Sequence, residues 1–203
     1  MNQNIGNNRR NISRRSSETD ERKQYEEKIV ILDYLPHGRG MGRGGNDPII
    51  IGVGSTLFTL LEVTVSPGEQ FIPLDEVMIG KERDRCIKHI NRRIGSEDLT
   101  IDARDKMQDA IQQIIATQEK RFINFFNRAG SISIKKHSLE LIPGIGQKTM
   151  WLIIQERKLS PFISFEDLEE RAGLSDIPQL INKRIINELE GDERHFLFTR
   201  KKS

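Results

Sequence analysis

One short stretch constrains this chain more than any other: Leu141-Ile-Pro-Gly-Ile-Gly-Gln-Lys-Thr-Met-Trp151. Leu139 and Ile142 lead into it, and Met150, Leu152, Ile153 and Ile154 give its second half an apolar side. Pro143 stops a helix, and Gly144 and Gly146 accept backbone angles that bulky residues resist. The pattern predicts two short helices over 138–157 joined by a tight turn. Bare glycines let a ligand approach the main chain closely. The first turn of the second helix has N–H groups without intrahelical partners, at the positive end of its dipole. Phosphate is the natural ligand for such a place. Lys148 adds a full charge and Thr149 a hydroxyl donor. Gly144, Ile145, Gly146, Gln147, Lys148 and Thr149 are therefore candidate contacts to a nucleic-acid backbone, made without regard to base sequence.

The stretch resembles the helix–hairpin–helix motif of many DNA- and RNA-binding proteins. It departs at Met150, where such motifs usually carry a small residue for close helix packing. An ordinary αα-hairpin with a glycine turn is the plainer alternative. Spacing, flanking apolar residues and Lys148-Thr149 together favour the phosphate-binding reading.

Charged residues are 31% of the 203 and hydrophobic ones only 35%, so part of the chain is expected to be solvated. Residues 1–24 fit that expectation as a disordered basic arm, with Arg9, Arg10, Arg14 and Arg15 in front and Glu18, Asp20 and Glu21 behind. An arm that tracks phosphates and a tail with no partner are both open readings. A net charge of +2 means that affinity for nucleic acid must come from local patches. The single cysteine, Cys86, excludes an internal disulfide and a multi-cysteine zinc site. There is no long apolar run for a membrane span and no apolar core for a secretory signal, so the expected location is cytoplasmic.

Residues 27–35, 48–53, 57–65 and 75–80 read as four strands, with Gly52 and Gly54 suggesting a bend or bulge. The glycine-rich loop at 36–45 carries Arg39 and Arg43. It lacks the lysine and following Ser/Thr of a P-loop, so its arginines either face solvent or touch phosphate. Residues 84–94 fit both a helix and a strand. They hold the densest basic cluster: Lys81, Arg83, Arg85, Lys88, His89, Arg92 and Arg93. As a strand, alternation would gather Arg85, His89 and Arg93 on one face with Ile87. Several short strands within about 70 residues suggest a small closed sheet, of which an OB-type barrel is one candidate and a twisted open sheet another.

From Thr100, a possible N-cap, a long amphipathic helix is expected to run to about Arg128. Its phenylalanines lie on the isoleucine stripe and read as core, with Lys120 and Arg121 reaching outward. Lys135 and Lys136 then precede the hairpin and could share its phosphates. Residues 165–190 read as a degenerate second hairpin without Gly-x-Gly, opened by a Ser164/Asp167 capping box, with Lys183 and Arg184 towards solvent. Trp151 is expected in the helical core. The end, residues 195–200, either adds a strand or packs an aromatic anchor.

Asp33-Tyr-Leu-Pro-His-Gly38, Phe58-Thr-Leu-Leu-Glu-Val63, Val77-Met-Ile-Gly-Lys81, the hairpin stretch and Ser164-Phe-Glu-Asp-Leu168 give the chain a wider resemblance. It is similar, over roughly residues 25–198, to an archaeal family of uncharacterised proteins, domain-of-unknown-function family 655. The resemblance implies an α+β fold: an N-terminal OB-like small β-barrel at 25–97, then an all-helical domain with a helix–hairpin–helix at 98–203. It tips residues 84–94 toward the last barrel strand. It also implies a proposed RNA-binding role, with family genes often near translation genes, and the family has no established reaction. The glycine loop with its arginines and the N-terminal arm look like additions to the family pattern.

The residues offer little for catalysis. His37, His89, His137 and His195 are scattered, without an i, i+4 pair, so no metal or other cofactor is expected. Base-excision glycosylases place a comparable hairpin ahead of a catalytic aspartate. Here Glu166 and Asp167 sit at an apparent helix start, where the dipole explains them. The expectation is a non-enzymatic nucleic-acid-binding protein, RNA in preference to DNA, with the ribosome or ribosomal RNA as a candidate partner. The alternatives are a DNA-binding repair or nuclease-type protein and a protein–protein adaptor on ribosome or RNA polymerase.

Overall fold

The structure, a computed structural model, describes residues 25–40, 45–191 and 193–200. The N-terminal arginines and Arg43 therefore lie outside the described residues. Five strands form one antiparallel sheet: β1 (Lys28–Leu35), β2 (Ile49–Gly54), β3 (Leu60–Val65), β4 (Glu76–Met78) and β5 (Ile87–Arg93). Their order is β4-β1-β2-β3-β5, so β4 and β5 lie at the two edges. The sheet curls as a half-barrel, and the loop from β4 towards β5 is held where Asp84 N–H donates to the Met78 carbonyl at 3.0 Å. Residues 87–93 are thus strand rather than helix.

The alternation of β1 to β3 buries both faces. Ile29, Ile31, Ile50, Leu61, Val63 and Val65 fill one side with Val77, Ile79 and Ile87. Val30, Leu32, Ile51, Val53 and Leu60 face the other way and pack on the helices. Two-sided burial explains why these strands read as near-continuous apolar runs. The bulges fall at Ile31/Asp33 in β1 and at two places along the β3–β5 pairing, not at the glycines of β2. Gly54 instead makes room for a carboxylate: a Cβ there would lie 2.0 Å from Glu26 Cδ. Glu26 accepts the Thr56, Leu57 and Thr59 N–H groups at 2.8–3.0 Å, holding the β2–β3 turn.

The expected long helix is two: α1 (Ile101–Thr117) and α2 (Glu119–Arg128), broken at Gln118, whose φ/ψ of −117°/28° leaves the helical region. Thr100 caps α1 by accepting the Ala103 N–H at 3.1 Å. Arg121 turns inward instead of reaching outward. Its guanidinium lies 5.4 Å from the Phe58 ring centroid and 5.3 Å from that of Phe122, and it donates to the Ser55 and Thr56 carbonyls. These contacts fasten α2 to the β2–β3 turn. Met107, Ile111, Ile114, Ile115, Phe122 and Phe126 are all buried. Sheet and helices therefore share one core that crosses residue 98.

A small hairpin, β6 (Ser131–Ser133) and β7 (Lys136–His137), leads into the organising stretch, followed by α3 (Gln147–Leu159), α4 (Phe165–Ala172) and α5 (Ile177–Glu190). Ser164 caps α4, accepting the Asp167 N–H at 3.1 Å, and Gly173 ends it in the left-handed region. Asp176 caps α5. Arg184 is the largest departure from the sequence reading. It is only 2% exposed, because residues 181, 184, 185 and 188 form the inward face of α5. Its Nε donates to Glu188 at 2.8 Å and Nη1 to the Leu141 carbonyl at 3.1 Å, with Glu193 at 2.9 Å and the His195 carbonyl completing the shell. Glu188 also accepts the Leu197, Phe198 and Thr199 N–H groups at 2.7–3.0 Å. That ties down the C-terminal segment as an aromatic anchor, with Phe198 5.5 Å from Phe122 and 5.1 Å from Phe125 between ring centroids.

Candidate nucleic-acid interface

The expected first helix of the hairpin is a single 3-10 turn, Ser138–Leu141. His137 caps it: Nδ1 accepts the Leu139 N–H at 3.2 Å, while Glu140 accepts the His137 N–H at 2.9 Å. Burial is the main cause that holds the His137 imidazole below its ordinary protonation range. The Arg157 charge adds to this and Glu140 partly opposes it. A neutral ring is what the cap requires, because a protonated Nδ1 cannot accept. Leu139 and Ile142 are buried, so the turn enters the core on apolar anchors. Arg184 fixes its last carbonyl from below.

The chain then reverses at Gly144, whose φ is +87°. Ile145 is 4% exposed and serves as an anchor for the loop; Gly144 and Gly146 stay exposed on either side of it. A Cβ built on Gly146 would meet nothing within 4 Å, so this glycine borders open space. Gly146 is also the N-cap of α3. No side chain caps this helix and no acidic residue sits in its first turn, unlike α1, α4 and α5, which are capped by side chains. The first turn of α3 thus begins without a side-chain cap, beside the exposed Lys148 and half-buried Thr149. The geometry assembles partial positive charge, one full charge and a hydroxyl around an open approach.

Met150 and Ile153 bury the inner side of α3. Trp151 does not join them. It is 53% exposed, with Leu152 at 36%. Their position, one residue off the Met150/Ile153 line, is the signal that could have placed them outside.

The remaining predicted residues scatter. Lys135 and Lys136 are exposed at the β6–β7 turn, just before the 3-10 turn. Arg85 is exposed ahead of β5. His89 pairs with Thr64 and Arg93 with Leu61, so the two lie on opposite faces of the sheet. The two register shifts along β5 break the simple alternation that would have gathered them with Arg85. Arg39 is engaged from within: Nε donates to Glu62 at 2.7 Å and Nη2 to the Asp98 carbonyl at 3.0 Å. Arg92 and Asn91 also reach Glu62, at 3.6 and 3.1 Å. Burial, the largest single effect, pushes the Glu62 carboxyl up. Together the Arg39 and Asn91 hydrogen bonds and the Arg39 and Arg92 charges outweigh it and hold the carboxyl below its usual range. Cys86 packs beside the β5-side core, where burial, then Asp84, raises its thiol above the ordinary range. Among the described residues no group of three or more His, Cys, Asp or Glu side chains is placed to hold a metal ion. No described helix is long and apolar enough to cross a membrane.

The family profile described as "Protein of unknown function (DUF655)" matches residues 25–200. The chain belongs to the DUF655 family. A relative, the uncharacterized protein MJ0038 of Methanocaldococcus jannaschii, is 36% identical over 179 residues, covering 87% of this chain and 81% of that protein. The crystal structure of Af1531 from Archaeoglobus fulgidus, assigned to DUF655, superposes with a TM-score of 0.77 at 39% identity. It covers 86% of this chain and 100% of its own.

Proposed function

We propose that this protein binds nucleic acid, RNA in preference to DNA, by gripping backbone phosphate at residues 144–149, and that it acts as a binding protein rather than an enzyme. In this reading the turn is a helix–hairpin–helix whose first helix is reduced to one 3-10 turn, and the curled sheet is an OB-like barrel. The carrying observation is the uncapped α3 N-terminus: its open N–H groups, Lys148 and two exposed glycines surround one unobstructed approach. A phosphate oxygen takes the place that a capping side chain takes at α1, α4 and α5. Lys135 and Lys136 extend the footprint, as do Arg85 and His89 on the sheet. Arg39 keeps the sheet together and contributes less. The preference for RNA, a cytoplasmic location and a ribosomal partner follow from the family resemblance.

Gly146→Val separates binding from folding. Its φ of −86° suits any residue and its Cβ has space, so stability should change by no more than about 1 kcal/mol. The added methyls crowd the phosphate approach. Fluorescence anisotropy with a labelled mixed-sequence RNA should show a clear loss of affinity. Undiminished binding by a folded Gly146→Val protein would remove the proposed contact.

A further inference from the structure

Trp151 is more than half exposed on α3, three residues after Lys148 and four before Gln155. These side chains line a groove of about 620 Å³ with Thr149, Leu152 and the Ala172/Gly173 end of α4. About half of this tryptophan's surface is left uncovered by the fold. The groove runs from the α3 N-terminus, and no carboxylate lines it. Its parts are one aromatic plane, one cation, a hydroxyl and an amide.

We infer that the groove holds an unpaired nucleobase stacked on Trp151, with the adjoining phosphate at the α3 N-terminus. The inference rests on the phosphate-binding reading above and narrows its substrate to single-stranded nucleic acid. The chemistry favours this occupant. A base has a π face for the indole, and aromatic stacking is how proteins hold unpaired bases. Its phosphate complements Lys148, as the absence of acid from the lining requires. Thr149 and the Gln155 amide can meet a base edge. A base inside a duplex cannot reach the indole, since both its faces are covered by its neighbours. The groove volume lies within the range of small-ligand sites.

The chain has a single tryptophan, so its emission reports on Trp151 alone. Titration with a single-stranded uridine homopolymer should quench that emission in step with binding, and an RNA duplex should leave it unchanged. Trp151→Ala should lower single-strand affinity roughly 5- to 140-fold, the span of one stacked base. It should leave duplex affinity as it was, and Trp151→Phe should restore most of the loss. Lys148→Glu should weaken both strands and duplex. If the labelled single strand binds without quenching and Trp151→Ala binds as well as wild type, stacking is overturned while phosphate binding stands. If wild type binds neither form, the phosphate reading falls and the stacking inference with it. A Trp151 emission maximum that shifts with protein concentration and does not respond to added strand would give the groove to a second copy of the chain, and overturn the inference.

Discussion

Arg184→Met tests the most buried ion pair among the described residues and, through it, the support of the candidate site. The Arg184 and Glu188 side chains are 2% and 0% exposed, at 2.8 Å. Breaking a buried pair from one side costs about 3–5 kcal/mol, because the other charge stays behind in the core. Glu188 keeps three backbone N–H donors after Arg184 is removed, so its charge is not left bare. That places Arg184→Met near the lower end, about 3 kcal/mol. Removing the other partner is worse. Glu188→Leu orphans those three N–H groups at about 1–3 kcal/mol each and leaves Glu193 as the one carboxylate facing Arg184, beside the Leu141 and His195 carbonyls. Urea unfolding followed by circular dichroism measures both. For a chain of this size Arg184→Met should lower the melting temperature by roughly 6–12 °C. A loss below about 1 kcal/mol for Arg184→Met, or a milder effect for Glu188→Leu, would refute the reasoning. Because Arg184 also holds the Leu141 carbonyl, the variant should loosen the hairpin before the sheet, as seen in amide exchange.

Three other outcomes rest on the same geometry. Gly144→Ala should cost about 1–2 kcal/mol because alanine resists a φ of +87°, whereas Gly146→Ala should cost less, as denaturant titration of the two will show. His137 has its imidazole held below the ordinary value of 6.5, so its stabilising effect is complete above that pH and is lost as pH falls below it. Protection of the Leu139 amide, corrected for intrinsic exchange, should therefore decline on the acid side of 6.5; flat protection would contradict the cap. Glu62, held below 4.5, should contribute stability that is complete above that value and is lost as pH falls further. Arg39→Met should shrink that acid sensitivity in pH-dependent unfolding.

Much of this fold could be read from the chain because its signals were local. Strand pairs announced by β-branched runs, the Thr100, Ser164 and Gly173 caps, and the Pro143-Gly144 reversal all depend on near neighbours in sequence. The misreadings came from contacts across the chain. Arg121 and Arg184 look like surface cations until their carbonyl and aromatic partners, 65 and 43 residues away, are in place. The i, i+4 spacing of Arg184 and Glu188 on the apolar face of α5 was the available clue. The bulges that split His89 from Arg93 are set by pairing with β3, which no alternation pattern within β5 records. At the candidate site, the turn, its glycines and Lys148 were evident from the motif. The exposure of Trp151 was missed although its place beside the Met150/Ile153 line hinted at it, because how much of a helix the rest of the protein covers is not written in the helix alone.

The measurement closest to the central claim is a salt titration of binding, wild type against Lys148→Glu, on two RNAs of unrelated sequence. Log affinity should fall linearly with log salt for wild type. Lys148→Glu should weaken both RNAs equally and reduce the slope by about 0.7, one single-strand phosphate. An unchanged slope, a shift in sequence preference, or no binding by wild type at low salt would contradict a backbone grip at residues 144–149.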